Sequence, residues 1–343
     1  MGAMSAVGAR GPEGQPGIPS SGVRPVGQNQ AVLDALTKRL NLRPYHTLTP
    51  QQARLQPSFA DGVMGVMRQQ GRPTTPPPGV SVRDISVAGA VGPINAKVYT
   101  PDGARGPLPV IVYYHGGGWV LANSQVYDAS TRALAREGQA IVVSVDYRLA
   151  PEAKFPAQHD DALAAYRWVI GHGGSIGGDP RRIVIAGESA GGNLAVATAI
   201  AARDAGLQAP LHILSIYPIA GSDLNTPSYQ ENSNALPLGR ALMAWFFHHT
   251  ARTPADAADP RINLVAANLR GLAPTTIIAA QIDPLRSEGE LLATRMRAAG
   301  VNVTRREYSR VTHEFFGADA VIAEAQEAQR FAGERLRAAF AGR

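Results

Sequence analysis

The chain has 343 residues, 45% hydrophobic and 17% charged, with a net charge of +6 and no cysteine. That composition suits a globular protein with a sizeable core, and it excludes a disulfide framework or a thiolate metal site. Basic pairs such as Arg181-Arg182 and Arg305-Arg306 are isolated, so the charge reads as a solvated face rather than a nucleic-acid footprint, and no apolar run reaches the ~18 residues of a membrane span.

Residues 1–29 are rich in Gly, Pro, Ser and Gln. They read as an unstructured tail, and they lack the apolar core of a signal peptide, which implies a cytoplasmic protein. Residues 30–79 read as helical. Val32, Leu33, Leu36 and Leu40 share one face, and Phe59, Val63 and Met67 form a second stripe. Between them Thr49-Pro50-Gln51-Gln52 has the form of a capped helix start. The Pro-rich stretch 72–79 then breaks the chain.

From residue 80 the texture changes. Eight short β-branched runs follow, at 82–87, 94–99, 109–114, 140–145, 182–187, 211–217, 275–281 and 302–308. Helical patterns lie near 124–137, 158–170, 190–204, 286–299 and 320–340. Continuous apolar runs separated by helices predict an α/β fold, a mostly parallel eight-stranded sheet covered on both faces. The first two runs have no helix between them and predict an antiparallel start. Residues 218–262 interrupt the rhythm with a short aromatic helix at 241–249. This insertion divides the core into 80–217 and 263–343, and it is expected to pair with 30–79 as a lid. The Trp245 region is the expected partner of the two apolar stripes.

Two glycine clusters carry the chemistry. In Gly187-Glu188-Ser189-Ala190-Gly191, a strand pattern runs into a helix through a small-residue turn, the form of a nucleophile elbow. Small residues allow the sharp turn that lifts Ser189 above the sheet, with the helix dipole aimed at the site. A serine hydroxyl needs a base. In this fold the order is serine, acid, histidine. Of eight histidines, His313 alone lies beyond the seventh and eighth runs. His46, His159, His172, His212, His248 and His249 read as packing or surface. For the acid, Asp283 directly follows the seventh run, at the carboxyl end of a strand where α/β sites gather. Asp259 and Glu288 are the alternatives. The second cluster, His115-Gly116-Gly117-Gly118-Trp119, also follows a strand. Its backbone N–H groups suit an oxyanion, with Gly117 and Gly118 as donors beside Ala190. A phosphate cradle is excluded, because no Lys-Ser or Lys-Thr follows.

These motifs, with Asp146–Ala157, Asp283–Glu290 and Thr312–Gly317, resemble the bacterial hormone-sensitive-lipase-like esterases, a branch of the α/β-hydrolases. The resemblance covers roughly residues 30–340. It implies Asp283 as the acid, a cap built from the N-terminal helices and the insertion, and His115 with Gly116 and Glu188 as the supporting loop. Arg148 and Glu152 are expected to form a structural pair. Trp119 and Trp245, with Phe246 and Phe247, are candidates for the substrate pocket, core packing being the alternative for the last three. Two departures from the family pattern stand out. Ser287 occupies a common Asp position, and Glu314 occupies a common Gly position. The expected function is a serine carboxylesterase of short- to medium-chain esters, needing no metal or cofactor. Its expected partners are a small ester and a second copy of the chain joined through the edge run 302–308. An amidase, lactonase or deacetylase with the same groups is the rival enzyme. A non-catalytic receptor on this fold is the rival outside catalysis, and His313 argues against it.

Overall fold

The eight β-branched runs become one eight-stranded sheet, in a computed structural model that describes residues 21–342. The strands are β1 (Val80–Ala88), β2 (Pro93–Pro101), β3 (Leu108–Tyr114), β4 (Ile141–Val145), β5 (Gly178–Glu188), β6 (Ile213–Ile216), β7 (Thr275–Ile282) and β8 (Val303–Thr312). Their order is β1-β2-β4-β3-β5-β6-β7-β8. As the missing helix between the first two runs implied, β1 pairs antiparallel with β2, and β2 antiparallel with β4. Every other pair is parallel, with Ile111 opposite Val142 on one side and Val184 on the other. Val and Ile along β3, β4 and β5 are fully buried on both faces, which is why these strands read as continuous apolar runs rather than alternating ones.

The helices, in chain order, begin with α1 (Gly27–Asp34), which continues as a π-helical turn through Arg39. Next come α2 (Pro50–Arg54) and α3 (Phe59–Gln69). The covering helices are α4 (Asp128–Gly138), α5 (Ala157–His172) and α6 (Ala190–Asp204). The insertion holds α7 (Pro227–Glu231) and α8 (Arg240–Thr250). The chain ends on α9 (Arg286–Ala298) and α10 (Ala323–Phe340). One face of the sheet packs against α4 and α10, with α1 and α3 joining that core, and the other against α5, α6 and α9, with α8 joining the second core.

Local chemistry explains the N-terminal helices. Thr49 and Gln52 form a reciprocal capping box with Pro50 in the first turn, and Ser58 with Asp61 forms a second one. Each satisfies two backbone N–H groups that the helix start leaves open.

Three expectations are corrected here. The tail was expected to run through residue 29, and its residues 1–20 lie outside the described ones. The remainder is anchored: Pro25 is buried, Val26 N–H donates to the Arg310 carbonyl at 2.8 Å, and Asn29 is buried. The side chain of Asn29 accepts from Thr312 N–H at 2.8 Å and donates to Thr312 Oγ1 at 3.0 Å. A chain composition poor in apolar residues did not reveal a segment held mainly by hydrogen bonds. Second, the two apolar stripes pack on each other, Val32, Leu33 and Leu36 with Phe59, Val63 and Val66. They do not pack on Trp245, which sits in the other core and donates from Nε1 to the Leu48 carbonyl at 3.2 Å. Third, Arg148 and Glu152 do not pair. Arg148 grips buried Asp161 with two bonds, of 2.7 and 2.9 Å. Glu152 takes two from Arg54, both 2.8 Å, and those bonds pull its carboxyl down to about 2. Arg54 also donates to the carbonyls of Val120 and Ala150, so α2 fastens the loop after β3 to the loop after β4.

Candidate active site

The carboxyl ends of β3, β5, β7 and β8 bring the chemistry together, as expected for a parallel α/β sheet. Ser189 follows β5 with φ 57° and ψ −117°, a strained conformation for a residue with a side chain. Three backbone bonds pin it: its N–H donates to Ile216 O at 2.9 Å, and its carbonyl accepts from Asn193 N–H at 3.0 Å and Ile219 N–H at 3.2 Å. The turn closes only because its flanks lack Cβ atoms. A Cβ on Gly187 would overlap the Gly191 carbonyl, and one on Gly191 would overlap that of Tyr114.

His313 follows β8, and its Nε2 lies 2.9 Å from Ser189 Oγ. Its Nδ1 lies 2.8 Å from Asp283 Oδ2. The second carboxylate oxygen of Asp283 accepts from Leu285 N–H at 2.8 Å. All three side chains are at most 3% exposed. In this chain of bonds Asp283 fixes the proton on His313 Nδ1, which leaves Nε2 free to take the Ser189 proton. Burial works against the imidazolium, but the charges of Asp283, Glu314 and Glu188 outweigh it and hold His313 above its ordinary value. The alternative acids are engaged elsewhere: Asp259 with Arg261 at 2.8 Å, and buried Glu288 with Ala220 N–H at 2.8 Å.

The glycine loop after β3 faces the serine across a cavity of about 140 Å³. Gly117 and Gly118 have φ of 96° and 61°, in the region that favours glycine. A Cβ on Gly118 would overlap the Phe246 ring. Gly117 and Gly118 line the cavity together with Ser189 and His313. Ala190 opens α6, where the first N–H groups have no acceptor within the helix. His115 is buried, and its Nδ1–H donates to the Gly116 carbonyl, 2.8 Å away. It stacks on Tyr147 at 4.3 Å, whose hydroxyl holds the His115 carbonyl. Burial pushes the His115 imidazole down, so it stays neutral and braces the loop. Glu188 lies beneath the elbow, where its carboxylate accepts from the hydroxyls of Tyr113 and Tyr217. Burial and the nearby Glu314 charge raise it to about 7.

The cavity wall differs from the expected one. Trp119 and Trp245 are buried side chains that do not line it. Trp119 packs beside Phe247 and His159 instead. The apolar wall comes from Phe59, Leu121, Leu238, Leu242 and Phe246. Tyr127 and Glu314 are among its polar residues, with Arg54, Gln56, Ser58, Ser130 and Glu188. Trp119 joined the expected list through its place beside the glycines, but its positive φ of 62° turns the ring into the core. Helical periodicity could have separated Phe246 from Trp245, which lie one position apart and so about 100° apart around α8.

Among the described residues no cluster could hold a metal ion, and no helix is long and apolar enough to cross a membrane. The α/β hydrolase fold family matches residues 111–317. The chain is similar to carboxylesterase NlhH of Mycobacterium tuberculosis, 39% identical over 78% of this chain and 87% of that one. It is 31% identical to the ethyl acetate hydrolase of Pseudomonas putida, over 83% of this chain and 88% of the relative. Among solved structures, the hyperthermophilic esterase of the archaeon Pyrobaculum calidifontis superposes with a TM-score of 0.81 at 37% identity, covering 90% of this chain and 96% of that one. The chain therefore belongs to the α/β hydrolase fold family, in its hormone-sensitive-lipase-like branch, and is a serine carboxylesterase.

Proposed function

We propose that Ser189, His313 and Asp283 carry the ester hydrolysis. The observation behind this is the unbroken hydrogen-bond chain Asp283–His313–Ser189 at the floor of the cavity. Ser189 Oγ attacks the carbonyl carbon as His313 Nε2 takes its proton. The tetrahedral oxyanion is held by the N–H groups of Gly117, Gly118 and Ala190. His313 returns the proton to the leaving alcohol, and water then cleaves the acyl-enzyme by the same route. The small volume of about 140 Å³ and its apolar wall favour short- to medium-chain esters, since a dry cavity of about 150 Å³ holds a benzene-sized group. The test is a series of activated esters from acetyl to palmitoyl, with an organophosphonate that traps the nucleophile. Turnover is expected to peak among the shorter acyl groups, and the phosphonate adduct to lie on Ser189. Adduct formation elsewhere, or a maximum at palmitoyl, overturns the reading.

The reading includes a cap formed by segments 30–79 and 218–262, because Tyr45, Phe59, Leu238, Leu242 and Phe246 all line the cavity. Deleting Met1 through Gln70 removes the α1–α3 layer, whose large apolar side chains contribute about 1.5–3 kcal/mol each when buried. It also removes the Arg54 bond to the Val120 carbonyl in the loop after β3 and the Asn29 bond beside His313. A poorly soluble protein, or one with sharply reduced turnover and blurred acyl preference, is expected. A soluble protein with unchanged kcat and the same preferred acyl group rejects the cap.

The reading also includes a homodimer through β8. That strand is one of the two edges of the sheet, and an open edge offers its backbone groups to a second copy. Light scattering at micromolar concentration should give twice the monomer mass, and a monomer rejects this interface.

A further inference from the structure

Glu314 directly follows His313, and the reaction above gives it no part. Its backbone is left-handed, φ 72° and ψ 3°, a conformation that favours glycine. A carboxylate retained there, against the backbone's preference, points to a use for the side chain. The Tyr127 hydroxyl donates to it, 2.8 and 2.9 Å from its two oxygens. Oε1 lies 3.8 Å from His313 Nε2, and the residue lines the same cavity as Ser189. The Arg54 guanidinium on that wall is committed to Glu152 at 2.8 Å.

We infer that Glu314 is a second counter-ion for the His313 imidazolium, a positioning residue acting on the Nε2 side while Asp283 acts at Nδ1. The inference rests on the Ser189–Asp283–His313 reading of the reaction. His313 is neutral in the competent resting enzyme and becomes cationic when it takes the serine proton. A carboxylate 3.8 Å from Nε2 stabilises that cation in a site shielded from water. The same attraction also favours protonated His313 before substrate binds. Glu314 therefore raises the plateau rate and moves the acid limb of the pH profile upward.

The other groups facing His313 stay in place when Glu314 is changed. Asp283 comes from the loop after β7 and Glu188 from the end of β5, the latter held by Tyr113 and Tyr217. The Tyr217 ring lies 4.5 Å from the imidazole. Tyr127 precedes α4, and Tyr45 on the cavity wall donates to the Pro57 carbonyl at 2.8 Å. At Glu314 itself burial is the strongest influence and holds the carboxyl above its ordinary value, while the His313 charge and the Tyr127 hydroxyl pull against it and favour the carboxylate.

The experiment compares kcat and kcat/KM against pH for the wild type, Glu314→Gln and Glu314→Gly. Gln keeps the side-chain volume and an acceptor for Tyr127. Gly suits the left-handed backbone, so a folded neutral variant is available even if Gln is poorly accommodated. In both variants the acid limb should move down by about one pH unit, and the plateau kcat should fall about three- to tenfold, with KM little changed. The two profiles then cross that of the wild type. Histidine NMR in a Ser189→Ala background should report the same downward move for His313 without any turnover. An acid limb that stays put or moves up in every folded variant overturns the inference, as does a move seen with Gly but not with a folded Gln variant, which would assign the effect to the backbone. A wild-type profile with no acid limb at all would instead overturn the histidine base, and so the two failures are distinguishable.

Discussion

Replacing Ser189 by alanine is expected to lower kcat about 10⁶-fold and to leave the fold intact. The two halves of this expectation have separate physical grounds. Chemically, Oγ is the atom that forms the acyl-enzyme in the proposed reaction, and His313 Nε2, 2.9 Å away, then has no hydroxyl to deprotonate. The oxyanion donors and the cavity remain, so a residual rate above that in water persists. Structurally, alanine inherits the same positive φ of 57° with no added atoms. The bonds that pin the elbow run through the backbone, from Ser189 N–H to Ile216 O and from Asn193 N–H and Ile219 N–H to Ser189 O. They do not involve the hydroxyl. Initial rates with an activated ester and a thermal melt measure both halves. A variant retaining a tenth of wild-type kcat means that another group is the nucleophile.

How well the sequence announced each feature depends on how local its cause is. The strands of the parallel sheet were legible because burial on both faces removes any reason for polar residues to alternate along them. The elbow was legible because its turn tolerates no Cβ at Gly187 or Gly191, which forces an unusual composition into a few adjacent positions. His313 and Asp283 were legible by position, since each directly follows a strand. The wall of the cavity was not. Phe59 and Leu242 reach it from segments far apart in the chain, and nothing in either segment records which neighbour it meets. The same holds for ion pairs. Arg54 is 98 residues from Glu152, and the resemblance to the family suggested Arg148 instead.

Asn29 shows the limit from the other side. Its surroundings have the composition of a linker, yet its side chain is 0% exposed and fixes both the N–H and the hydroxyl of Thr312. Apolar periodicity detects elements that bury surface. It is silent on a single polar side chain held by two directional bonds, even one that abuts the catalytic loop. Glu314 is a different case. Its identity was visible as a departure from the family's glycine, but its meaning needed the 3.8 Å approach to His313.

Replacing Asp283 by asparagine is expected to lower kcat about 10⁴-fold, through the tautomer of His313 and the loss of its counter-ion. In the present arrangement one carboxylate oxygen accepts from Leu285 N–H and the other from His313 Nδ1–H, both at 2.8 Å. An amide has only one oxygen. If that oxygen stays with Leu285 N–H, the NH₂ group faces His313 Nδ1 and makes it an acceptor. The ring proton then moves to Nε2, which can no longer take the proton of Ser189. If the amide is flipped, NH₂ confronts Leu285 N–H, donor against donor, and a buried N–H is left unpaired at about 1–3 kcal/mol. The first arrangement is therefore the expected one. The imidazolium also loses the negative charge at Nδ1, so the acid limb should fall to lower pH, the direction opposite to the shift that Asp283 imposes on His313. Steady-state kinetics measures the loss, and ¹⁵N NMR of the histidine ring reports which nitrogen carries the proton. A loss of less than tenfold, with the Nδ1 proton retained, would mean that a group other than Asp283 orients the base.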